Sequence, residues 1–280
     1  VPEREFDLTA ARGLRLSGRE WEPPAPPEAV IALVHGFGEH MGRWEHAARW
    51  FASRGLAVVA IDLRGHGRSE GRRGHALKLE YLLEDIGLLV AEARRAHPDT
   101  PLFLYGHSLG ALLAANYVLR SAPALAGVIL SALPLETPLR RQRIKVAAAR
   151  WLGPLLPGLS IDSGLDRTTL SRDPAVVDAC ASDPLAHATA TLGLARAALQ
   201  AVEYALEHAA EWRLPVLVMH GAADALALPS GSEEFARRIH GDCTLKLWPG
   251  LYHELHNEPE KQQVLDFAAR WIGERSGPRL

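Results

Sequence analysis

The chain of 280 residues is 48% hydrophobic and carries 31 basic against 33 acidic side chains, a formal net charge of −2. Such a length and apolar content bury a full core and exclude disorder, and the near-balance of charge leaves no concentrated basic surface for nucleic acid. Its two cysteines, Cys180 and Cys243, lie far apart without metal spacing, which speaks against a disulfide framework or a zinc site. The first residues lack a basic start with an apolar run behind it, and no apolar run is long enough for a bilayer. A cytoplasmic protein, at most peripheral at membranes, is expected.

In chain order, residues 6–9 and 14–17 alternate apolar and polar as half-exposed antiparallel strands do, and Pro23-Pro24-Ala25-Pro26-Pro27 follows as a stiff connector. Continuous apolar runs then recur at 30–34, 56–61, 101–105, 128–130 and 216–219, with a weaker alternating run at 244–247. Each is short enough for a strand buried on both faces. Helical spacing separates them at 44–54, 77–96, 108–120, 233–240 and 259–272, with Gly55 closing the first helix. This alternation predicts an α/β fold, a mostly parallel sheet flanked by helices. Between Leu133 and Leu214 no strand pattern is found, only helical or irregular sequence broken by Pro134, Pro138, Pro154, Pro157, Pro174 and Pro184. The break predicts a helical cap, residues 134–212, inserted after the sixth strand into a core of 1–133 and 213–280. It is expected over the carboxyl ends of the strands, where open α/β sheets keep their ligand crevice.

Gly106-His107-Ser108-Leu109-Gly110 sits between the strand pattern at 101–105 and the helical run Ala111-Leu112-Leu113-Ala114-Ala115. A G-x-S-x-G between strand and helix is a nucleophile elbow, in which a sharp turn lifts the serine hydroxyl above the sheet. The plainer alternative is a glycine-rich turn without chemistry, and a base and an acid elsewhere in the chain decide between them. A serine hydroxyl is a poor nucleophile at neutral pH, so Ser108 needs a histidine base and an acid to orient it, in the order Ser, Asp or Glu, His. Asp224 follows the buried strand at 216–219 and meets the acid's position. Asp62 precedes Ser108, and Asp183 and Glu207 fall in the insertion. His253 follows the last strand and is preferred as the base over its neighbour His256, while His107 is expected to direct its ring away from the reaction. The oxyanion hole requires backbone N–H donors from the residue after the nucleophile and from an earlier loop. Leu109 supplies one and Phe37, in His35-Gly36-Phe37-Gly38, the other.

With these residues in view, the chain resembles the monoacylglycerol lipase and lysophospholipase branch of the serine α/β-hydrolases over most of its length. The likeness rests on the elbow, on His35-Gly36-Phe37-Gly38-Glu39-His40-Met41-Gly42-Arg43 and on Asp62-Leu63-Arg64-Gly65-His66-Gly67-Arg68-Ser69-Glu70-Gly71. Leu170-Ser171-Arg172 with Ser182-Asp183-Pro184-Leu185, and the loop from Gly250 to Glu258, extend it. Two positions depart from the pattern: Ala111, where many relatives carry a third glycine, and Ala225, where a larger residue is common. The resemblance implies Ser108, Asp224 and His253 as the catalytic triad, Phe37 and Leu109 as oxyanion donors, and no cofactor or metal. It further implies Glu39, Arg43 and His256 near the alcohol end of the substrate, a lipid ester that is most often a monoacylglycerol. A lysophospholipase or broad carboxylesterase is the nearest enzymic alternative, with a peptidase on the same triad behind it, and a noncatalytic receptor on the same fold is the alternative outside enzymes. In the cap, Arg140, Arg141, Arg143, Lys145 and Arg150 alternate with Ile144, Val146, Trp151, Leu152, Leu155, Leu156 and Leu159. This mixture suits transient contact with a membrane surface, and equally a solvated helix packed on the core.

Overall fold

The computed structural model describes residues 1–138 and 142–277, without the side chain of residue 143. Arg140, Arg141 and the Arg143 side chain therefore lie outside the described residues. A hairpin of β1 (Glu3–Thr9) and β2 (Arg15–Trp21) leads into β3 (Ala29–Val34), α1 (Glu45–Ala52), β4 (Leu56–Ile61), α2 (Leu79–Ala96), β5 (Leu102–His107), α3 (Leu109–Ser121) and β6 (Gly127–Ser131). After β6 come α4 (Arg143–Trp151), β7 (Ser160–Asp162), α5 (Pro174–Ser182), β8 (Thr189–Thr191) and α6 (Leu192–His208). The chain returns to the sheet with β9 (Val216–Gly221), α7 (Pro229–Arg238), β10 (Cys243–Trp248) and α8 (Lys261–Gly273).

Eight strands form one sheet in the order β1-β2-β4-β3-β5-β6-β9-β10. The β1–β2 and β2–β4 pairs are antiparallel and every other pair is parallel. The strands read as continuous apolar runs because both faces are covered. In β3, Val30, Ala32 and Val34 belong to the core cluster shared with α2, α3, α6 and α7, whereas Ala29, Ile31 and Leu33 belong to the one shared with α1 and α8. Burial on both sides removes the polar half of the alternation that a one-sided sheet would show.

The segment after β6 holds one element that was not expected. Ser160–Asp162 and Thr189–Thr191 pair antiparallel as a two-stranded ribbon, where no strand was expected. Three residues carry too little of the two-residue period to be read from sequence. Helix α7 begins at Pro229, four residues before the expected start. Proline at the first helical position fits because its missing N–H would have no intrahelical acceptor there.

Candidate active site

The sheet brings four loops to the carboxyl ends of its strands. Ser108 follows β5 directly and begins α3, held at φ 51°, ψ −118°. This left-handed backbone is strained for a non-glycine residue and persists because the surroundings fix it. Its N–H donates to Ser131 O at 2.9 Å. A Cβ at Gly106 would lie 2.4 Å from Gly110 O, and one at Gly110 would lie 2.3 Å from Val34 O. Both glycines are thus required by main chain meeting main chain.

Above β5, Ser108 Oγ lies 2.9 Å from His253 Nε2, and His253 Nδ1 lies 2.7 Å from Asp224 Oδ2. With Asp224 accepting from Nδ1–H, Nε2 presents its lone pair to the serine hydroxyl, the tautomer a general base needs. Asp224 Oδ1 accepts from the N–H groups of Leu226 and Ala227 at 2.8 and 3.0 Å, which fixes its rotation. Burial disfavours the Asp224 carboxylate, but the His253 charge and hydrogen bonds from His220 and His253 outweigh it and hold its pKa well below the usual range. Burial likewise lowers His253, yet the charge and hydrogen bond of Asp224 prevail and its pKa is raised above 6.5.

A histidine that sequence reasoning missed completes this arrangement. Buried His220, at the end of β9, places Nε2 3.1 Å from Asp224 Oδ2 and 2.9 Å from Ala227 O, with Nδ1 2.7 Å from Ser232 Oγ. Two acceptors at Nε2 mean that it carries the proton, so Nδ1 accepts from the Ser232 hydroxyl. Asp224 Oδ2 therefore receives two imidazole N–H donors.

Phe37, Ser108, Leu109 and His253 meet on the wall of one cavity of about 270 Å³. Among the described residues, the N–H groups of Phe37 and Leu109 meet no acceptor. The rest of the wall is mostly aliphatic, including Leu112, Val146, Leu194, Ala195, Ala198, Leu199 and Val202, so that α3, α4 and α6 enclose the space next to Ser108.

Glu39, Arg43 and His256 do not line that cavity; they form a buried network beside it. Glu39 Oε1 accepts from Gly36 N at 2.5 Å and Oε2 from Trp44 Nε1 at 3.2 Å. Burial, reinforced by the Glu254 charge, pushes Glu39 up to about 7. Arg43 donates to Glu254 at 2.6 Å and lines a second cavity of about 190 Å³ with Asp183 and Asn257. The His256 ring stacks on Trp44 at 3.5 Å and accepts at Nε2 from Asn257 at 3.1 Å, so the rival to His253 is held away from Ser108 by packing. His107 stands closer to the reacting groups than its expected orientation implies: its ring is 5.0 Å from that of His253, without a hydrogen bond between them. The other early acid, Asp62, receives Met41 N and Arg68 N at 2.8 and 2.7 Å and braces two loops.

The family model for serine aminopeptidase, S33, matches residues 25–260. The monoacylglycerol lipase of Mycolicibacterium smegmatis is 38% identical over 96% of this chain and 96% of its own. An uncharacterized abhydrolase domain-containing protein of Dictyostelium discoideum is 39% identical over 93% of this chain, which spans 28% of that longer protein. The crystal structure of Paleococcus ferrophilus monoacylglycerol lipase superposes with a TM-score of 0.85 at 32% identity, covering 93% of this chain and 99% of the other. With the fold and the extent of these matches together, the chain belongs to the serine α/β-hydrolases of the monoacylglycerol lipase family.

Proposed function

We propose that the chain hydrolyses carboxylic esters of lipids, monoacylglycerols foremost, to fatty acid and alcohol, with Ser108, His253 and Asp224 as its triad. The single observation that carries this is the unbroken line from Ser108 Oγ through His253 to Asp224, at 2.9 and 2.7 Å, opening onto an aliphatic cavity. Ser108 Oγ attacks the ester carbonyl while His253 Nε2 takes its proton, and the N–H groups of Phe37 and Leu109 receive the oxyanion. His253 then returns the proton to the leaving alcohol, leaving the acyl group on Ser108. In the second half, His253 takes a proton from water, the resulting oxygen adds to the acyl carbon, and the fatty acid leaves as Ser108 regains its proton. Each oxyanion donor contributes about 3 kcal/mol to the transition state, because it is fixed before charge develops. No step calls for a metal or organic cofactor. Glu39, Arg43 and His256 are proposed at the alcohol end on the strength of the family likeness; for Glu39, the setting of Gly36 between its carboxylate and Ser108 Cβ supports the reading.

The test is a hydrolysis series of monoacylglycerols, diacylglycerols, lysophospholipids, short simple esters and an aminoacyl anilide. Monoacylglycerols are expected to give the highest kcat/KM; faster turnover of lysophospholipid or of the anilide overturns the assignment.

The segment 134–212 is proposed as a cap that meets lipid surfaces. On and after α4, Ile144 is 87% exposed, Trp151 78% and Leu155 76%, while Lys145, Val146 and Ala149 of the same helix face the cavity. Apolar side chains of this size are stabilised by roughly 1.5–3 kcal/mol each on leaving water. The triple variant Ile144→Ser/Trp151→Ser/Leu155→Ser is expected to bind anionic vesicles at least tenfold more weakly while its turnover of a soluble short-chain ester is unchanged. Equal vesicle binding by variant and parent excludes the contact.

A further inference from the structure

The motif Ser182-Asp183-Pro184-Leu185 has no part in the chemistry described so far, yet it lies against the loop that carries Phe37. Asp183 ends α5 and folds the chain behind it: its Oδ1 accepts from Leu185 N at 2.8 Å and its carbonyl from Ala186 N at 3.2 Å. Its other carboxylate oxygen, Oδ2, lies 2.7 Å from His40 Nε2. His40 Nδ1 accepts from Gly42 N at 3.2 Å, so the proton sits on Nε2 and is donated to Asp183. The turn then delivers His187, whose N–H donates to Gly38 O at 2.9 Å. Gly38 sits at φ 72°, and a Cβ there would lie 2.1 Å from His187 O, so the two backbones touch directly. The His187 ring meets Phe37 edge-on at 5.5 Å and His66 at 4.8 Å. Among the described residues, the hydrogen bonds that reach residues 36–40 from beyond residues 35–44 come from this turn.

We propose that residues 183–187 form a clasp on the oxyanion loop, with Asp183 and His187 as positioning residues that hold the Phe37 N–H where the oxyanion develops. The physical need is plain: a donor stabilises a transition state only if it is aimed beforehand, and residues 36–40 lie in no helix or strand that would aim it. The clasp comes from the segment between β6 and β9, so the oxyanion loop takes its position from the part of the chain that also walls the cavity. The inference rests on the assignment of Phe37 as a donor and of Ser108 as the nucleophile.

A clasp that aims a transition-state donor affects kcat and leaves ground-state binding alone, which separates it from a substrate contact or a general loss of structure. The test uses the whole chain, a soluble short-chain nitrophenyl ester, and an alkyl boronic acid, to which Ser108 Oγ adds, passing its proton to His253 and leaving a tetrahedral boronate anion. His187→Ala is expected to lower kcat about tenfold with KM unchanged, short of the 10²–10³ lost with a whole donor, and to weaken boronate binding by the same factor. His187→Phe, which restores a ring against Phe37, is expected to recover both. Asp183→Asn keeps an acceptor for Leu185 N and holds His40 less tightly; a threefold or larger loss in both readouts is expected, and it decides the matter should His187→Ala fail to fold. Unchanged kcat and boronate affinity, or a change confined to KM, overturns the clasp while the triad stands. Failure of the parent protein to bind the boronate overturns the triad assignment and the clasp with it.

Discussion

Ser108→Ala is expected to lower kcat on a monoacylglycerol by about 10⁶, roughly 8 kcal/mol of transition-state stabilisation, with an unchanged unfolding transition. The loss is this large because nucleophile and base act as one unit: without Oγ, His253 has no proton to take and the acyl-enzyme cannot form. The fold is expected to stand because the residue's structural contacts are main chain. Its N–H bonds Ser131 O, and the glycines around the turn meet backbone atoms. Alanine keeps the same Cβ at φ 51°. Kinetics on the purified variant, together with a fluorophosphonate probe that labels the parent at Ser108, check this; turnover within a hundredfold of the parent refutes the nucleophile assignment and reopens the noncatalytic reading.

Asp224→Asn is expected to lower kcat about 10⁴-fold, the scale on which a mis-set histidine tautomer acts. Asp224 Oδ1 is fixed by two backbone N–H groups, so the asparagine carbonyl must take that place. The NH₂ then faces His253 Nδ1 and His220 Nε2, where the carboxylate accepted a hydrogen bond from each. Donor against donor forces the His253 proton to Nε2, the atom that must accept from Ser108. The pH dependence follows from the same contacts. His253 works neutral, and the Asp224 charge raises its pKa above 6.5, so activity of the parent falls as pH drops through a midpoint above that value. In the variant the charge is gone and burial remains, which displaces the acidic limb to lower pH. A rate profile on a soluble ester measures both effects; a variant within tenfold of the parent, or an acidic limb that does not move, removes Asp224 from its role.

The sheet was legible because each central strand is an apolar run bounded by turn residues, and Leu56–Ile61 coincides with its expected limits. That Ser108, Asp224 and His253 would meet was legible for a different reason: strand ends place side chains at one edge of the sheet, so order along the chain becomes proximity in space. His220 escaped notice because the end of an apolar run reads as core, and no spacing rule links it to Asp224 or Ser232. The ion network of Glu39, Arg43 and Glu254 was hidden likewise, since its members come from loops 211 residues apart and only the folded chain sets them at 2.6 Å. The exposed apolar side chains after α4 read in sequence as a packed helix as readily as a lipid-facing one. Exposure is a tertiary property that the helical period alone does not decide.

The interlocked glycines of the elbow have a consequence for redesign. The spacing between Ser108 and the strand that carries the Phe37 loop is set by backbone atoms in contact, Gly110 against Val34 and His35. The cavity beside them is shaped by side chains from other elements, among them the small residues Ala190, Ala195 and Ala198. Enlarging those alanines one at a time is therefore expected to change acyl preference while the spacing between the elbow and the strand before Phe37, fixed by main chain, is kept.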